Sequence, residues 1–141
     1  MPLARISVPA HLSTAQIRAL ADGVHESLVE TCGVPPADRF QLVSAYAPAM
    51  AFIDPTYGHV RRTPDASIVE ILFLAGRTVD QKKHLFRRIA DRAVSAGFSG
   101  DDVMIVLTEN ATVDWSLGRG LAFGDHHEPE YASSSAIFAR S

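Results

Sequence analysis

The stretch Ser67–Gly97, which reads SIVEILFLAGRTVDQKKHLFRRIADRAVSAG, decides the fold of this chain. Its first part, Ser67–Ala75, is almost entirely apolar, which is typical of a central strand that is covered on both faces. Thr78 and Gln81 then form a capping-box pattern, in which the two side chains satisfy backbone groups at the start of a helix. Apolar residues follow at helical spacing until Gly97. The stretch therefore predicts a strand followed by a helix.

The first half of the chain repeats this order. Leu3–Val8 has the alternation of a short strand, with Leu3 and Arg5 on one face and Ala4, Ile6 and Val8 on the other. Ser13 and Gln16 form another capping-box pattern, and the helix that follows is expected to end at Gly33. Phe40–Ala47 then predicts a second strand. Strand, helix and strand together make one βαβ unit.

A last strand is predicted at Val103–Thr108, so the chain holds two βαβ units, at about residues 2–47 and 67–109. The predicted class is α/β, with a four-stranded sheet and two helices on one face. The other face of this sheet is left bare and carries apolar residues. Because such a face must be buried against something, we expect a homo-oligomer.

Size and composition indicate one domain in an ordinary globular chain. The 141 residues and 15.2 kDa fit a single domain, expected at residues 1–125. The serine-rich residues 126–141 are expected to form a polar C-terminal tail. Residues 48–66, rich in proline, glycine and aspartate, are expected to be a long connection with a function or a hidden hairpin.

Charge and cysteine content exclude several classes of partner. The net charge of −3 gives no reason to expect nucleic acid or an anionic membrane as a partner. The longest apolar runs are too short to span a bilayer, and the N-terminus has no apolar signal core. Cys32 is the only cysteine, which suits a reducing compartment. We therefore expect a cytoplasmic protein.

Three residues are candidates for catalysis or substrate binding because of their side-chain chemistry and their positions in the predicted fold. Pro2 becomes a secondary amine at the start of a strand if Met1 is removed, and such an amine can act as a base or an acid. Asp38 precedes a strand, where an aspartate more often caps a turn. Arg77 lies between a strand and a helix, where an arginine fork can bind a carboxylate. The ordinary alternatives are an edge-strand proline, a turn aspartate and a surface arginine.

Other candidates are weaker. Trp115, the only tryptophan, lies in a turn-rich stretch and is expected to form a pocket wall, an interface anchor or a simple packing contact. His126-His127-Glu128 lacks the spacing of a metal site, and no metal is expected. Lys82-Lys83 and Arg87-Arg88 are interpreted as a polar helix face that provides solubility.

An ordered set of motifs resembles a known family over roughly residues 2–125. The motifs are, in chain order, Met1-Pro2-Leu3, the run GVPPADRFQ at Gly33–Gln41, Arg77 before Gln81-Lys82, Asp101-Asp102-Val103, and ENATVDWSLGRG at Glu109–Gly120. The chain resembles the tautomerase superfamily and, within it, the malonate semialdehyde decarboxylase group. The resemblance implies a homotrimer of tandem βαβ chains with the amino-terminal proline on the floor of a pocket.

The resemblance also implies roles for individual residues. Pro2 would transfer the proton, and Asp38 would hold or tune the amine or position a water. Arg77 would bind the substrate carboxylate or polarise its carbonyl group. The apolar walls of the substrate site would be Trp115, Leu117 and Phe123.

The chain differs at one position from the malonate semialdehyde decarboxylase group that it resembles. That group carries two arginines spaced Arg-x-Arg at the end of the third strand. Here Ala75 stands at the first of these positions, and only Arg77 remains. Decarboxylation of a 3-oxo acid favours two separate cationic contacts, whereas proton transfer needs a base, one carboxylate contact and a dry pocket. Candidates to replace the missing cation are Arg61, Arg62 and Arg119.

The sequence thus predicts a cofactor-independent enzyme that carries out keto–enol tautomerisation of a small oxo carboxylic acid. The alternatives are decarboxylation of a 3-oxo acid such as malonate semialdehyde, and hydration of an unsaturated acid. A further alternative is a non-catalytic trimeric interaction protein that has kept the fold and lost the chemistry.

Overall fold

The computed structural model describes residues 1–125, so the predicted polar tail at 126–141 and the histidines in it lie outside the described residues. Strands and helices follow the predicted order, with ends within a few residues of the prediction. They are β1 (Pro2–Pro9), α1 (Thr14–Cys32), β2 (Gln41–Tyr46), β3 (Ser67–Leu74), α2 (Val79–Ser95) and β4 (Val103–Asn110). Short 3-10 helices lie at Pro48–Met50, Gly100–Asp102 and Thr112–Asp114.

The chain divides into two compact units. The first is Met1–Glu109, which contains both βαβ repeats almost to the end of β4, and the second begins at Asn110. Each unit has its own internal contacts.

The sheet has the strand order β2-β1-β3-β4, so Ser67–Leu74 is an inner strand, as its apolar sequence predicts. β1 runs parallel to β2, and Ala4 lies opposite Gln41. β1 runs antiparallel to β3, and Pro2 lies opposite Phe73. This antiparallel pairing places the start of β1 and the end of β3 at the same end of the sheet.

Both helices begin where the sequence predicts. The Ser13 hydroxyl accepts the Gln16 backbone N–H at 3.1 Å, and α1 ends at Gly33 with a φ of 67°, a conformation that favours glycine. At α2 the capping box is complete: the Thr78 hydroxyl accepts the Gln81 N–H at 3.1 Å, and the Gln81 side chain accepts the Thr78 N–H at 2.9 Å. These contacts fix where each helix leaves its strand.

The core lies between the helices and one face of the sheet. Alternate residues of β1 and β3 point into it, and the apolar stripes of α1 and α2 cover them. The fully buried members include Ala4, Ile6, Val8, Val69, Ile71 and Phe73 from the strands and Leu20, Val24, Leu28, Leu85 and Ile89 from the helices. The prediction of two helices on one face of a four-stranded sheet is confirmed.

The opposite face of the sheet is exposed and mostly apolar. The pairing of β1 with β3 sets Leu3 opposite Leu72 on this face, and Met104 and Val106 of β4 are 46% and 43% exposed. Arg5 and Glu70 form its central polar pair in the register. The bare apolar face on which the oligomer prediction depends is therefore present.

The connection between β2 and β3 is anchored by a buried carboxylate. Asp102, 1% exposed, accepts the backbone N–H of Thr63 at 2.6 Å and its hydroxyl at 2.5 Å. The Arg61 backbone N–H donates to Asp101 at 3.2 Å. The segment is a loop with one 3-10 turn rather than a hairpin, and its end is held where β3 begins.

We expect Leu85→Ala to destabilise the protein by about 2–5 kcal/mol, because it leaves a cavity beneath α2 at a side chain with 0% exposure. Val94→Ala on the same helix, at a side chain 55% exposed, is the matched control and should change stability by under about 1 kcal/mol. Urea unfolding of both variants at one protein concentration measures the difference. Equal losses would contradict the burial of Leu85 in the core and the exposure of Val94.

Candidate active site

Pro2 and Arg77, the two residues on which the predicted chemistry depends, lie at the same end of the sheet. Pro2 is buried and sits directly opposite Phe73 in the β1–β3 pair. The guanidinium carbon of Arg77 lies 5.1 Å from the centroid of the Phe73 ring. Directly opposed side chains in a sheet are about 5 Å apart at Cβ. The fold thus brings Pro2 and Arg77 close to the same phenylalanine.

Asp38 meets the beginning of the chain at this same place. Its Oδ2 lies 2.9 Å from the Met1 amino group, and its side chain is 18% exposed. Its other oxygen, Oδ1, is buried and accepts no hydrogen bond from the residues that the structure describes. In this structure the Pro2 nitrogen is part of the Met1–Pro2 peptide bond.

The segment between α1 and β2 holds Asp38 in position. The Asp38 backbone N–H donates to the Pro35 carbonyl at 2.9 Å, which makes a tight turn. The His25 ring nitrogen Nε2 lies 2.8 Å from the Pro36 carbonyl and ties this turn to α1. The Ala4 backbone N–H donates to the Phe40 carbonyl at 3.0 Å and docks the end of the segment on β1. Asp38 is therefore fixed against the strand that starts at Pro2.

Arg77 is held by backbone carbonyl groups. Its Nη1 donates to the Leu74 carbonyl at 3.0 Å, and its Nη2 donates to the Cys32 carbonyl at 3.5 Å. The turn before it contains Gly76 with a φ of 124°, where a side chain would be strained. The half-buried guanidinium makes no ion pair within the described residues, so its remaining N–H groups are available to a ligand carboxylate.

Two further charged residues belong to this end of the sheet, and the sequence did not predict that they pair. Lys82, in the first turns of α2, donates to the Glu109 carboxylate at 2.7 Å, and Glu109 lies at the end of β4. Lys82 was predicted to provide solubility only. The available signal was positional, since the start of α2 and the end of β4 both flank the turn that carries Arg77.

Neighbouring groups from α2 and from the turn after β3 lower the pKa of Glu109. The hydrogen bond from Lys82 is the largest cause, and the backbone N–H of Gly76 and the charge of Arg77 add to it, against the opposing effect of desolvation. The Glu109 carboxylate therefore lies among Lys82, Gly76 and Arg77 and is charged at neutral pH.

The predicted wall residues Trp115, Leu117 and Phe123 all belong to the unit that begins at Asn110. Within that unit, the Trp115 indole N–H donates to the Asn110 side chain at 2.7 Å. The Phe123 backbone N–H donates to the Trp115 carbonyl at 2.8 Å, and Leu117 is 48% exposed. Their contribution of apolar walls to the substrate site stays a prediction.

Arg61 and Arg62 precede β3, whereas Arg77 follows it, and a strand of eight residues spans about 25 Å. Within one subunit they therefore do not replace a cation at Ala75. Arg62 Nη1 instead donates to the Asp54 and Tyr57 carbonyls, both at 2.8 Å. A cavity of about 390 Å³ lies at their end of the sheet, away from Pro2, and its lining includes Pro9, His11, Tyr46 and Arg62. Arg119, the third candidate, belongs to the second unit.

Residues 1–125 contain no group of three or more histidine, cysteine, aspartate or glutamate side chains arranged to hold a metal ion. Among the same residues, no helix is both long enough and apolar enough to cross a bilayer.

Family models match most of the chain. Residues 38–118 match a family described as tautomerase enzyme, and residues 2–61 match a second model with the same description. The chain is 36% identical over 123 residues to a protein named probable tautomerase YusQ from Bacillus subtilis strain 168. That alignment covers 86% of this chain and 97% of the relative.

Solved structures of malonate semialdehyde decarboxylases have the same fold. One, inhibited by 3-bromopropiolate, superposes with a TM-score of 0.81 at 37% identity, and covers 90% of this chain and 99% of its own. Another, described as having decarboxylase and hydratase activities, has a TM-score of 0.78 at 30% identity, with 84% of this chain and 92% of its own covered. Together with the family matches, these similarities show that the chain is an enzyme that belongs to the tautomerase family.

Proposed function

We propose that this enzyme moves a proton on a small oxo carboxylic acid, in a keto–enol tautomerisation that uses the amino-terminal proline. The observation that carries the proposal is the convergence of Pro2, Asp38 and Arg77 at one end of the sheet. These three supply a candidate base, a carboxylate beside it and a cation for the substrate. The proposed reaction uses no cofactor.

Removal of Met1 is the step that would create the base. While Met1 is present, the Pro2 nitrogen is an amide and cannot take up a proton. After its removal, Pro2 carries a secondary amine next to the place where Asp38 now binds the Met1 amino group at 2.9 Å. The Asp38 carboxylate, with one unpartnered oxygen, then stabilises the positive charge that the amine acquires with a proton.

Arg77 would bind and orient the substrate carboxylate. Phe73 and the Leu74 and Cys32 carbonyl groups fix its guanidinium, so little rotational freedom is lost when a carboxylate binds. The arginine fork presents two parallel donors to the two oxygens of a carboxylate. The oxo or enol carbon of a short substrate is then held towards Pro2.

The reaction balances within the substrate and one amine. In ketonisation, the Pro2 nitrogen accepts the proton of the enol hydroxyl, and the electrons of the broken O–H bond stay on the oxygen, which gives an enolate. As the oxygen then forms a carbonyl, the electrons of the carbon–carbon double bond take a proton from the Pro2 ammonium and form a new C–H bond. The amine is regenerated, and no oxidant, reductant or metal takes part in these steps.

Decarboxylation of a 3-oxo acid, with hydration of an unsaturated acid as a related reaction, is the second candidate. The 37% identity to a malonate semialdehyde decarboxylase favours it. Ala75 counts against it, because carbon dioxide loss is helped by a second cation that holds the leaving carboxylate. We therefore rank proton transfer first.

We also propose that the enzyme works as a homotrimer in the cytoplasm. The support for an oligomer is the exposed apolar face of the sheet, which includes Leu72, Met104 and Val106. Trp115, Leu117 and Phe123 would supply the apolar walls of the substrate site. Light scattering coupled to size-exclusion chromatography measures the assembly, and a monomer at micromolar concentration would contradict it.

A substrate panel followed by proton NMR tests the function. We expect the mature enzyme to convert phenylenolpyruvate to its keto form faster than it releases carbon dioxide from malonate semialdehyde. The control is the same protein with Met1 retained, which should be inactive on both. Rapid loss of carbon dioxide with slow ketonisation would establish the second candidate instead, and no turnover of either acid would contradict both.

A further inference from the structure

We propose that Glu109 is a specificity-determining residue: it neutralises Lys82 beside Arg77 and so restricts the site to substrates with a single carboxylate. The inference rests on the proposed function of Arg77 as the carboxylate-binding residue. It concerns a charge pair that lies outside the proton-transfer machinery of Pro2 and Asp38.

The geometry places Glu109 between the turn and the helix that flank the site. Its carboxylate accepts a hydrogen bond from Lys82 Nζ at 2.7 Å, and the backbone N–H of Gly76 contributes to its lowered pKa. Gly76 is the residue immediately before Arg77. Because the same carboxylate also interacts with the charge of Arg77, these three charged side chains form one cluster, called here the strand-end cluster.

The charges of the strand-end cluster leave one net positive charge for a ligand. Lys82 and Arg77 are cations, and Glu109 is an anion that is paired directly with Lys82. Arg77 makes no ion pair within 4.0 Å among residues 1–125, whereas Lys82 is occupied. Arg77 can pair with the first carboxylate of a substrate. A second carboxylate finds no free cation, because Lys82 is neutralised by Glu109, and the negative charge of Glu109 repels it.

While it is paired with Glu109, Lys82 does not take the place of a charged residue at Ala75. If the Glu109 charge is removed, the Lys82 ammonium is released and becomes a second cation near the turn. Lys82 and Glu109 are 27% and 36% exposed, so solvent screens them in part and the effect is modest. A several-fold change in binding, rather than a loss of binding, is the expected scale.

Binding of succinate and its monoamide, succinamate, tests the proposal without any need for turnover. The two ligands have nearly the same shape, but succinate has a second carboxylate where succinamate has a neutral amide. NMR titration of wild-type protein and Glu109→Gln gives the ratio of their dissociation constants. We expect Glu109→Gln to shift this ratio about fivefold towards succinate.

Double variants identify the released cation. Adding Lys82→Met to Glu109→Gln should return the ratio to its wild-type value, whereas adding Lys83→Met, at the neighbouring exposed lysine, should leave the shifted ratio in place. An unchanged ratio in Glu109→Gln, or equal effects of the two lysine changes, would overturn the proposal. If Glu109→Gln does not fold, Lys82→Met alone must shift the ratio towards succinamate, and failure to do so is equally decisive.

Arg77→Met tests the proposed carboxylate-binding role of Arg77 separately from the proposed role of Glu109. Loss of both ligands in Arg77→Met is expected, because the first carboxylate has then lost its partner. If both ligands still bind as in the wild type, the proposed role of Arg77 is wrong, and the specificity inference falls with it. If Arg77→Met removes binding but Glu109→Gln leaves the ratio unchanged, only the inference about Glu109 is wrong.

Discussion

Pro2→Ala is expected to lower kcat/KM for ketonisation by about 10²–10⁴-fold, the usual contribution of a positioned general acid–base group. The proline ring fixes the nitrogen at the start of β1, against Phe73 and next to Asp38. Alanine places a primary amine there that rotates and is hydrated differently. The position lacks a backbone donor in the wild type, so the strand pairing loses nothing when proline is replaced.

Steady-state kinetics and intact mass together check this result. The mass of the wild-type protein should show that Met1 has been removed, and the circular dichroism of the variant should match the wild type. Pro9→Ala is the matched control, because Pro9 is a buried proline at the other end of the same strand. Full turnover by Pro2→Ala, or by wild-type protein that retains Met1, would remove Pro2 from the mechanism.

The second large effect is expected from Arg77→Met, which should lower kcat/KM by about 10²–10³-fold, mainly through a higher KM. The variant loses the charge-assisted contact to the substrate carboxylate. Lys82, the cation near this end of the sheet, is paired with Glu109 and does not replace it. Arg77→Lys should recover only part of the loss, because an ammonium group cannot form the two parallel hydrogen bonds of a guanidinium.

Arg87→Met is the control for this variant, since Arg87 is an exposed arginine on the outer face of α2. Michaelis–Menten kinetics of all three variants separate KM from kcat. A fall in kcat at unchanged KM would show that Arg77 acts on the reacting carbonyl group rather than on a bound carboxylate. Wild-type kinetics in Arg77→Met would exclude both roles.

Local signals in the sequence predicted the elements well, because each depends on neighbouring residues only. The capping box of Thr78 and Gln81 is complete in the structure, and Gly33 ends α1 in the left-handed conformation. The alternation in Leu3–Val8 divides buried from exposed positions as predicted. The apolar stretch at Ser67–Ala75 gave the inner strand, apart from its last residue.

The interpretation of single charged residues was less successful. The ordinary interpretation of Asp38 was a turn aspartate. In the structure, its backbone N–H closes a turn and its carboxylate also contacts the Met1 amino group. Lys82 looked like one of several lysines and arginines on a polar helix face, yet it pairs with Glu109, which is 27 residues away in sequence. Local pattern cannot separate Lys82 from Lys83, because only the partner differs.

By itself, the amino-acid sequence determined two βαβ repeats, their caps and turns, the apolar faces and the family that the motifs resemble, because hydrophobic spacing and capping act over a few residues. Tertiary structure alone decided that β1 and β3 run antiparallel, which brings Pro2 to Arg77 and sends Arg61 and Arg62 to the other end. It also decided that Lys82 pairs with Glu109. Such pairings depend on strand order and on charges that meet through space, and neither is written in the spacing of residues along the chain.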